Sequence, residues 1–146
     1  MSHLTERRLL GLSLGPATLL DAVETVFDGT PCITLFFAAG SDVSGLAHAR
    51  GSAPVAQTSV GGAPCLTYPA QPGAPSSFTL NGTPIDITPA TSEQSRFEGR
   101  NCMAAVRNGE KPQTVATWLQ HHIESHGLEA AVIVDRARPG SDPAFA

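Results

Sequence analysis

Seven of the twelve prolines in this chain fall between Gly51 and Ser92, and together they exclude a stable helix from that stretch. A proline inside a helix removes a backbone hydrogen bond and clashes with the preceding turn, and a helix in water needs roughly three uninterrupted turns. Only one charged residue, Asp86, lies in the same stretch. The sequence therefore predicts a β-rich module with proline- and glycine-rich loops, with a disordered linker as the alternative. The short extended runs that remain are residues 54–60, 65–68, 78–80 and 85–88.

A hairpin is the clearest local prediction within this module. Asn81-Gly82 separates the run at 78–80 from the run at 83–87. Asn-Gly is the commonest two-residue turn between antiparallel strands, because both residues tolerate a positive φ. Pro84 then needs an edge position or the first place in its strand, since it cannot donate a hydrogen bond to a neighbour.

The first fifty residues contain one clear strand and one ambiguous segment. Ile33–Phe37 is an apolar run between the turn signals Asp28-Gly29 and Gly40-Ser41, which predicts a buried strand. After Pro16, apolar residues at helical spacing predict a short amphipathic helix, although β-branched residues there would suit a strand equally. The apolar positions are Leu19, Leu20, Val23, Val26 and Phe27, and the β-branched ones are Thr18, Val23, Thr25 and Val26.

The last third of the chain has a strand–helix–strand pattern. Residues 101–106 form an apolar run, Pro112 begins a helical stripe that includes Trp118 and ends at Gly127, and a second apolar run ends in Asp135. The short connections predict a βαβ unit with two parallel strands and a right-handed crossover. The stripe predicts that Trp118 is buried against both strands. Residues at the carboxyl ends of such strands face the crevice where parallel sheets bind ligands.

The charge and the cysteines of the chain exclude several classes of protein. Nine basic against thirteen acidic side chains give a net charge of −4, which offers no general attraction for nucleic acid or anionic membranes. No apolar stretch approaches the roughly 20 residues of a membrane helix and no signal segment opens the chain, so we expect a cytoplasmic protein without a membrane span. The three cysteines are far apart and in no zinc-binding spacing, which predicts small buried side chains.

The segment VRNGEKPQTVATWLQHHIESHGLEAAVIVDRARPGSD, residues 106–142, joins a strand-end Arg-Asn pair to a helix with Trp-Leu and a strand ending in Asp. This order resembles the opening of a GT-A glycosyltransferase of the family-2-like group, in which the first strand ends in Val, Arg or Lys, Asn and Glu. The resemblance covers about a quarter of the chain. The matching residues are Arg107, Asn108, Trp118, Leu119, His122, Gly127 and Asp135.

The resemblance implies a site for the nucleotide of an activated sugar, lined by Arg107, Asn108, Glu110 and Asp135. A strand-end carboxylate can accept hydrogen bonds from a base N–H or from ribose hydroxyls, and arginine pairs with a diphosphate. The alternatives are a solvated loop cation at Arg107 and a turn or cap residue at Asp135. Two features depart from the family: Gly109 is inserted before Glu110, and the chain has no D-x-D sequence to clamp a metal and a diphosphate.

The fold class predicted from these features is α+β. A β-rich module over residues 1–99 is followed, over residues 100–146, by the first βαβ unit of an open parallel sheet of the GT-A or Rossmann-like kind. The latter is the incomplete start of a nucleotide-sugar-binding domain.

The predicted function is the N-terminal portion of a glycosyltransferase that uses a sugar nucleotide donor and a glycan acceptor. We expect this portion to be inactive alone, because a metal clamp and a catalytic base are missing, and no catalytic residue is assigned. The cofactor is unknown, with a divalent metal as a candidate for the full-length protein. The alternative function is a non-catalytic glycan- or protein-binding module whose βαβ unit is only scaffold. The sequence does not indicate the donor sugar, the acceptor or the oligomeric state.

Three histidines on the predicted helix are the remaining candidates for chemistry. His122 and His126 lie four residues apart, on one helical face, as metal ligands often do, and His121 is adjacent. His122 also belongs to the apolar stripe beside Trp118, and no HExxH sequence is present. Packing in the core or at the surface is therefore favoured over metal binding.

Overall fold

Strands dominate the part of the chain that the computed structural model describes, residues 7–136. These residues divide into two units, 7–92 and 93–136. The first unit contains β1 (Leu12–Ser13), β2 (Thr18–Phe27), β3 (Thr30–Phe37), β4 (Leu46–His48), β5 (Ala56–Val60), β6 (Ala63–Pro69), β7 (Ser76–Leu80) and β8 (Thr83–Ile87). The second contains a 3-10 turn (Gln94–Arg96), β9 (Cys102–Arg107), α1 (Pro112–His126) and β10 (Ala130–Asp135).

Five strands of the first unit form an antiparallel sheet in the order β1-β2-β3-β6-β5. Two-residue turns with positive φ close two of its hairpins: Asp28-Gly29 joins β2 to β3, and Gly61-Gly62 joins β5 to β6. Turns of this kind match the right-handed twist of the flanking strands. The buried strand predicted at Ile33–Phe37 is confirmed as part of β3, the middle strand of the sheet.

The other three strands of this unit form a second antiparallel sheet in the order β4-β7-β8. Asn81 and Gly82 join β7 to β8 with φ values of 50° and 81°, and Leu80 pairs with Thr83 across the turn. The predicted hairpin is therefore confirmed. Pro84 lies on β8, an edge strand, as its missing N–H requires.

The two sheets enclose the core of the first unit between them. The strand register sets Ala22 opposite Leu35 and Leu35 opposite Leu66, so inward-facing side chains form rows across the five-stranded sheet. Removing this apolar surface from water stabilises the unit by roughly 25 cal/mol for each Å² buried. The core side chains are Ala17, Leu19, Ala22, Ile33, Leu35, Phe37, Leu66, Tyr68, Phe78, Leu80 and Ile87.

A row of threonines crosses the opposite face of the five-stranded sheet. The Thr34 hydroxyl lies 2.8 Å from that of Thr25 and 3.0 Å from that of Thr67, so three adjacent strands share hydrogen bonds. On the same face, the buried Asp21 carboxylate accepts hydrogen bonds from the Arg7 guanidinium. The buried polar groups of this face are thus paired within the protein.

The helix predicted after Pro16 is wrong, because this segment forms β2, a ten-residue strand. Its apolar residues follow both a helical and an alternating pattern, and pairing with β3 over eight positions decides the outcome. A register irregularity between Leu19 and Asp21 leaves Leu19 fully buried and Leu20 37% exposed. This irregularity disturbs the strict alternation by which a strand is recognised in sequence.

The second unit is a strand–helix–strand arrangement with parallel strands. All six residues of β10 pair with β9, from Ala130 opposite Cys102 to Asp135 opposite Arg107. The helix between them begins at Pro112 and ends at Gly127, whose φ of 62° closes the last turn in the left-handed conformation. The parallel pairing, the helix and its end at Gly127 are therefore confirmed.

The predicted fold class is wrong, because it included an open parallel sheet. Eight of the ten strands in residues 7–136 belong to antiparallel sheets, and the parallel sheet consists of β9 and β10 alone. No open parallel sheet of the GT-A or Rossmann-like kind exists in this part of the chain. The helical crossover fixes how two strands pair, but it does not determine how many strands join them.

Trp118 is not buried against both strands as predicted, since 36% of it is exposed. Two strands lie only about 4.8 Å apart, so a sheet of two offers too narrow a surface to cover an indole as well as the rest of the helical stripe. The indole instead contacts the His122 ring, with 4.6 Å between ring centroids.

No helix among the described residues is long and apolar enough to span a membrane.

We expect Leu35→Ala to destabilise the first unit by about 2–5 kcal/mol, because it removes a fully buried side chain and leaves a cavity. Leu9→Ala is the matched control, since Leu9 is 60% exposed and its truncation should change stability by less than about 0.5 kcal/mol. Hydrogen exchange of the β3 and β6 amides measures the free energy of unfolding for this unit alone. Equal effects of the two substitutions would contradict the core described above.

Candidate functional site

The four residues predicted to line a nucleotide site come together at the carboxyl ends of β9 and β10. Arg107 is the last residue of β9 and Asp135 the last of β10, and the parallel register sets them side by side. Asn108 and Glu110 follow in the loop between β9 and α1. This cluster of four residues is called the strand-end cluster below.

Arg107 and Asp135 form an ion pair at the centre of this cluster. A guanidinium nitrogen of Arg107 lies 3.0 Å from Oδ2 and 3.2 Å from Oδ1 of Asp135, and Arg107 Nε donates to the carbonyl of Glu110 at 2.8 Å. The Arg107 side chain is 3% exposed, whereas that of Asp135 is 36% exposed. The pair thus fixes a carboxylate that solvent and ligands can reach.

The loop after β9 is held by its own side chains. The Glu110 carboxylate accepts a hydrogen bond of 2.6 Å from the backbone N–H of Asn108. Gly109, between these two residues, has a φ of 95°. Hydrogen bonds from the backbone N–H groups of Asn108 and of Glu110 itself, with a smaller contribution from Arg107, lower the pKa of Glu110 below its usual value. Glu110 is therefore an anion that folds back onto the loop, in keeping with the inserted Gly109.

The positive end of α1 follows directly after this loop. Lys111 occupies the N-cap position, Pro112 lies in the first turn, and that turn contains no acidic residue. The first backbone N–H groups of a helix lack partners within the helix, and its dipole favours anions there. Lys111 and the helix N-terminus therefore supply positive charge next to the strand-end cluster.

The three histidines of α1 lie near one another, but not as a metal site. Their ring centroids are separated by 5.4 Å for His121 and His122, 5.1 Å for His122 and His126, and 5.8 Å for His121 and His126. Desolvation lowers the pKa of His122, and His126 and His121 lower it further. Among the described residues, no three His, Cys, Asp or Glu side chains are placed to hold a metal ion. His121 and His126 are exposed and His122 is half-buried, and packing in the core or at the surface stays a prediction for these histidines.

The first unit contains a groove that sequence reasoning missed. It lies between the loop after β3 and the inward faces of β5 and β6, with a volume of about 470 Å³. Its polar lining residues are Ser41, Asp42, Ser44, Gln57 and Tyr68, from three separate segments. No spacing or motif connects these positions in the sequence, so no local signal could have found them.

Comparisons with protein-family models, with curated proteins and with solved structures find no match to this chain. The function is therefore inferred from the chain's own residues and from the resemblance over residues 106–142.

We expect Asp135→Ala to destabilise the second unit by about 1–3 kcal/mol, because it removes the carboxylate that neutralises a buried guanidinium. The double variant Arg107→Met with Asp135→Leu should regain part of this loss, since it buries no uncompensated charge. Urea unfolding followed by the fluorescence of Trp118, the sole tryptophan, reports this unit.

Glu98→Ala serves as the control, because Glu98 is an exposed carboxylate in the same unit and its loss should cost less than about 0.5 kcal/mol. An Asp135→Ala variant as stable as Glu98→Ala would show that the ion pair does not hold the strand ends.

Proposed function

We propose that this chain is the N-terminal portion of a glycosyltransferase that uses a sugar nucleotide donor, and that the strand-end cluster binds the nucleotide. The observation that carries the proposal is the half-exposed Asp135 carboxylate, held at the carboxyl end of a parallel strand by a buried arginine. Open α/β sheets bind ligands at the carboxyl ends of their strands, and the two parallel strands of this unit share such an end with the loop before α1. The resemblance over residues 106–142 supports the same position.

Asp135 is the group that recognises the nucleoside in this proposal. An ionised carboxylate accepts hydrogen bonds only, so it fits ribose hydroxyls or a base N–H as partners. Arg107 is a positioning residue, because its guanidinium is 3% exposed and donates to Asp135 and to the Glu110 carbonyl. It orients the carboxylate before the ligand arrives, which reduces the cost of binding.

The phosphates of the donor meet the positive end of α1. The Lys111 ammonium and the positive end of the helix dipole offer charge to a diphosphate. They offer few hydrogen bonds, because Pro112 has no N–H and the Thr114 and Val115 N–H groups donate to the Lys111 carbonyl. The first turn contains no acidic residue, and the Glu110 carboxylate before it is hydrogen-bonded to the Asn108 backbone N–H. In this proposal the diphosphate lies at the N-terminus of α1, whereas the sequence led us to expect it at Arg107.

The residues of this chain do not fit a metal clamp on the diphosphate. The sequence has no D-x-D, and residues 7–136 place no three His, Cys, Asp or Glu side chains around a common point. No step is therefore derived through a metal ion. The role proposed for this portion is to bind and orient the donor, and we do not expect it to transfer sugar alone, because no side chain is assigned as catalytic base.

We expect Asp135→Asn to weaken nucleotide binding by about ten- to a hundredfold, because it removes a charge-assisted hydrogen bond to the ligand. Glu110→Gln should weaken binding less, since Glu110 is turned onto the Asn108 amide. Calorimetric titration of UDP, GDP and dTDP into the full chain and the two variants measures these affinities.

Trp118 fluorescence and urea unfolding establish that each variant is folded under the titration conditions. The proposal is contradicted if none of the three nucleotides binds the unaltered chain, or if Asp135→Asn binds as tightly as the unaltered chain does.

A further inference from the structure

The groove of the first unit is a candidate binding site that does not involve the strand-end cluster. Its floor is formed by the inward faces of β5 and β6, and its wall by residues 41–46. A volume of about 470 Å³ lies within the range of small-ligand sites, which is roughly 300–1,000 Å³.

Tyr68 contributes a hydroxyl without a partner in the described part of the chain. The residue is only 2% exposed, and its ring packs between His48 and Phe78, with centroid distances of 5.7 and 5.1 Å. Burial raises the pKa of Tyr68, so the hydroxyl stays neutral and can both donate and accept. Tyr68 lines the groove, so solvent or a ligand there can hydrogen-bond to its hydroxyl.

Asp42 contributes a carboxylate that the neighbouring loop holds in place. Its Oδ1 accepts hydrogen bonds from the Ser44 amide at 3.0 Å and the Ser44 hydroxyl at 2.7 Å, which lower the pKa of Asp42. Both of these bonds go to Oδ1, which leaves Oδ2 able to accept hydrogen bonds from a ligand. The loop is anchored to the strands by the Asp42 amide, which donates to the Pro16 carbonyl at 3.0 Å, and by Ser41 Oγ, which accepts from the Thr18 amide at 3.1 Å.

Gln57 supplies an exposed carboxamide on β5, opposite Leu66 on β6. A carboxamide offers both a donor and an acceptor. The apolar lining residues are Val43, Leu46, Pro54 and Leu66. The groove thus combines an anionic acceptor, two groups that donate and accept, and patches of apolar surface.

We propose that this groove binds a neutral saccharide of one or two sugar rings. Hydroxyl groups of a sugar can donate to Asp42 and exchange hydrogen bonds with Gln57 and Tyr68, while the C–H face of the ring packs on Val43, Leu46 and Pro54. Asp42 repels phosphates and carboxylates, so an anionic ligand is disfavoured. This inference extends the glycan-binding alternative drawn from the sequence and does not depend on the nucleotide site.

The test is a titration of maltose, cellobiose and lactose into the nitrogen-labelled chain, without nucleotide, followed by amide NMR. Sugars at about 10 mM reveal the millimolar dissociation constants typical of weak polar sites. Saturable shifts confined to residues 41–46, 54–57 and 66–68 are expected with at least one sugar. Absence of shifts with all three, or shifts located outside these segments, would overturn the proposal.

Two variants locate the binding groups. Tyr68→Phe removes only the hydroxyl and should weaken binding about three- to tenfold without lowering stability, because that hydroxyl has no partner in the described chain. Asp42→Asn should weaken binding by about tenfold or more. Asp86→Asn is the matched control: Asp86 accepts a 2.6 Å hydrogen bond from the Ser77 hydroxyl as Asp42 does from Ser44, but it lies outside the groove.

Unchanged affinity in both Tyr68→Phe and Asp42→Asn, or an equal loss in Asp86→Asn, would overturn the assignment. Failure of nucleotide binding at the strand-end cluster leaves this test unaffected, because no nucleotide is present in it.

Discussion

A buried positive charge needs a negative partner, and this requirement joins the two parallel strands at one end. Arg107 ends β9 with its side chain almost fully buried, and Asp135 ends β10 with its carboxylate 3.0 Å away. Asn101 closes the opposite end, where its side-chain amide donates to the carbonyls of His126 and Gly127 at 2.8 and 3.1 Å. A sheet of two strands buries little apolar surface, so these polar ends contribute a large share of the unit's order. The accessible position of Asp135, and with it the proposed nucleotide site, depends on the Arg107 pair.

The two proposed sites differ in the cations beside them, and we propose that this difference favours different ligands. Lys111 and the N-terminus of α1 favour a diphosphate at the strand-end cluster. Asp42 is the charged side chain of the groove and disfavours the same ligand there. Discrimination by repulsion as well as attraction allows one chain to keep two ligands apart. In this proposal the anionic sugar nucleotide binds at the strand-end cluster, and the uncharged saccharide binds in the groove.

Sequence reasoning succeeds where a local residue dictates the backbone. Asn81-Gly82 and Gly127 adopt the positive φ values expected of them, and the helix-sized connection correctly predicts that β9 and β10 are parallel. It fails where residues distant in the sequence determine the structure of a segment. The segment after Pro16 becomes a strand because β3 lies beside it. Trp118 stays half-exposed because the helical stripe does not reveal how narrow the facing sheet is. The strand-end cluster could be predicted from the sequence, because its members follow two predicted strands. The groove residues Asp42, Gln57 and Tyr68 could not, because no motif connects them.

The most direct test of nucleotide binding at the strand-end cluster is a titration of UDP or GDP into the nitrogen-labelled chain, followed by amide NMR. At about 1 mM nucleotide, we expect saturable shifts confined to residues 107–112 and 134–136, since these residues form the strand ends, the loop and the first turn of α1. Absence of shifts with both nucleotides, or shifts confined to residues 7–92, would contradict the proposed site.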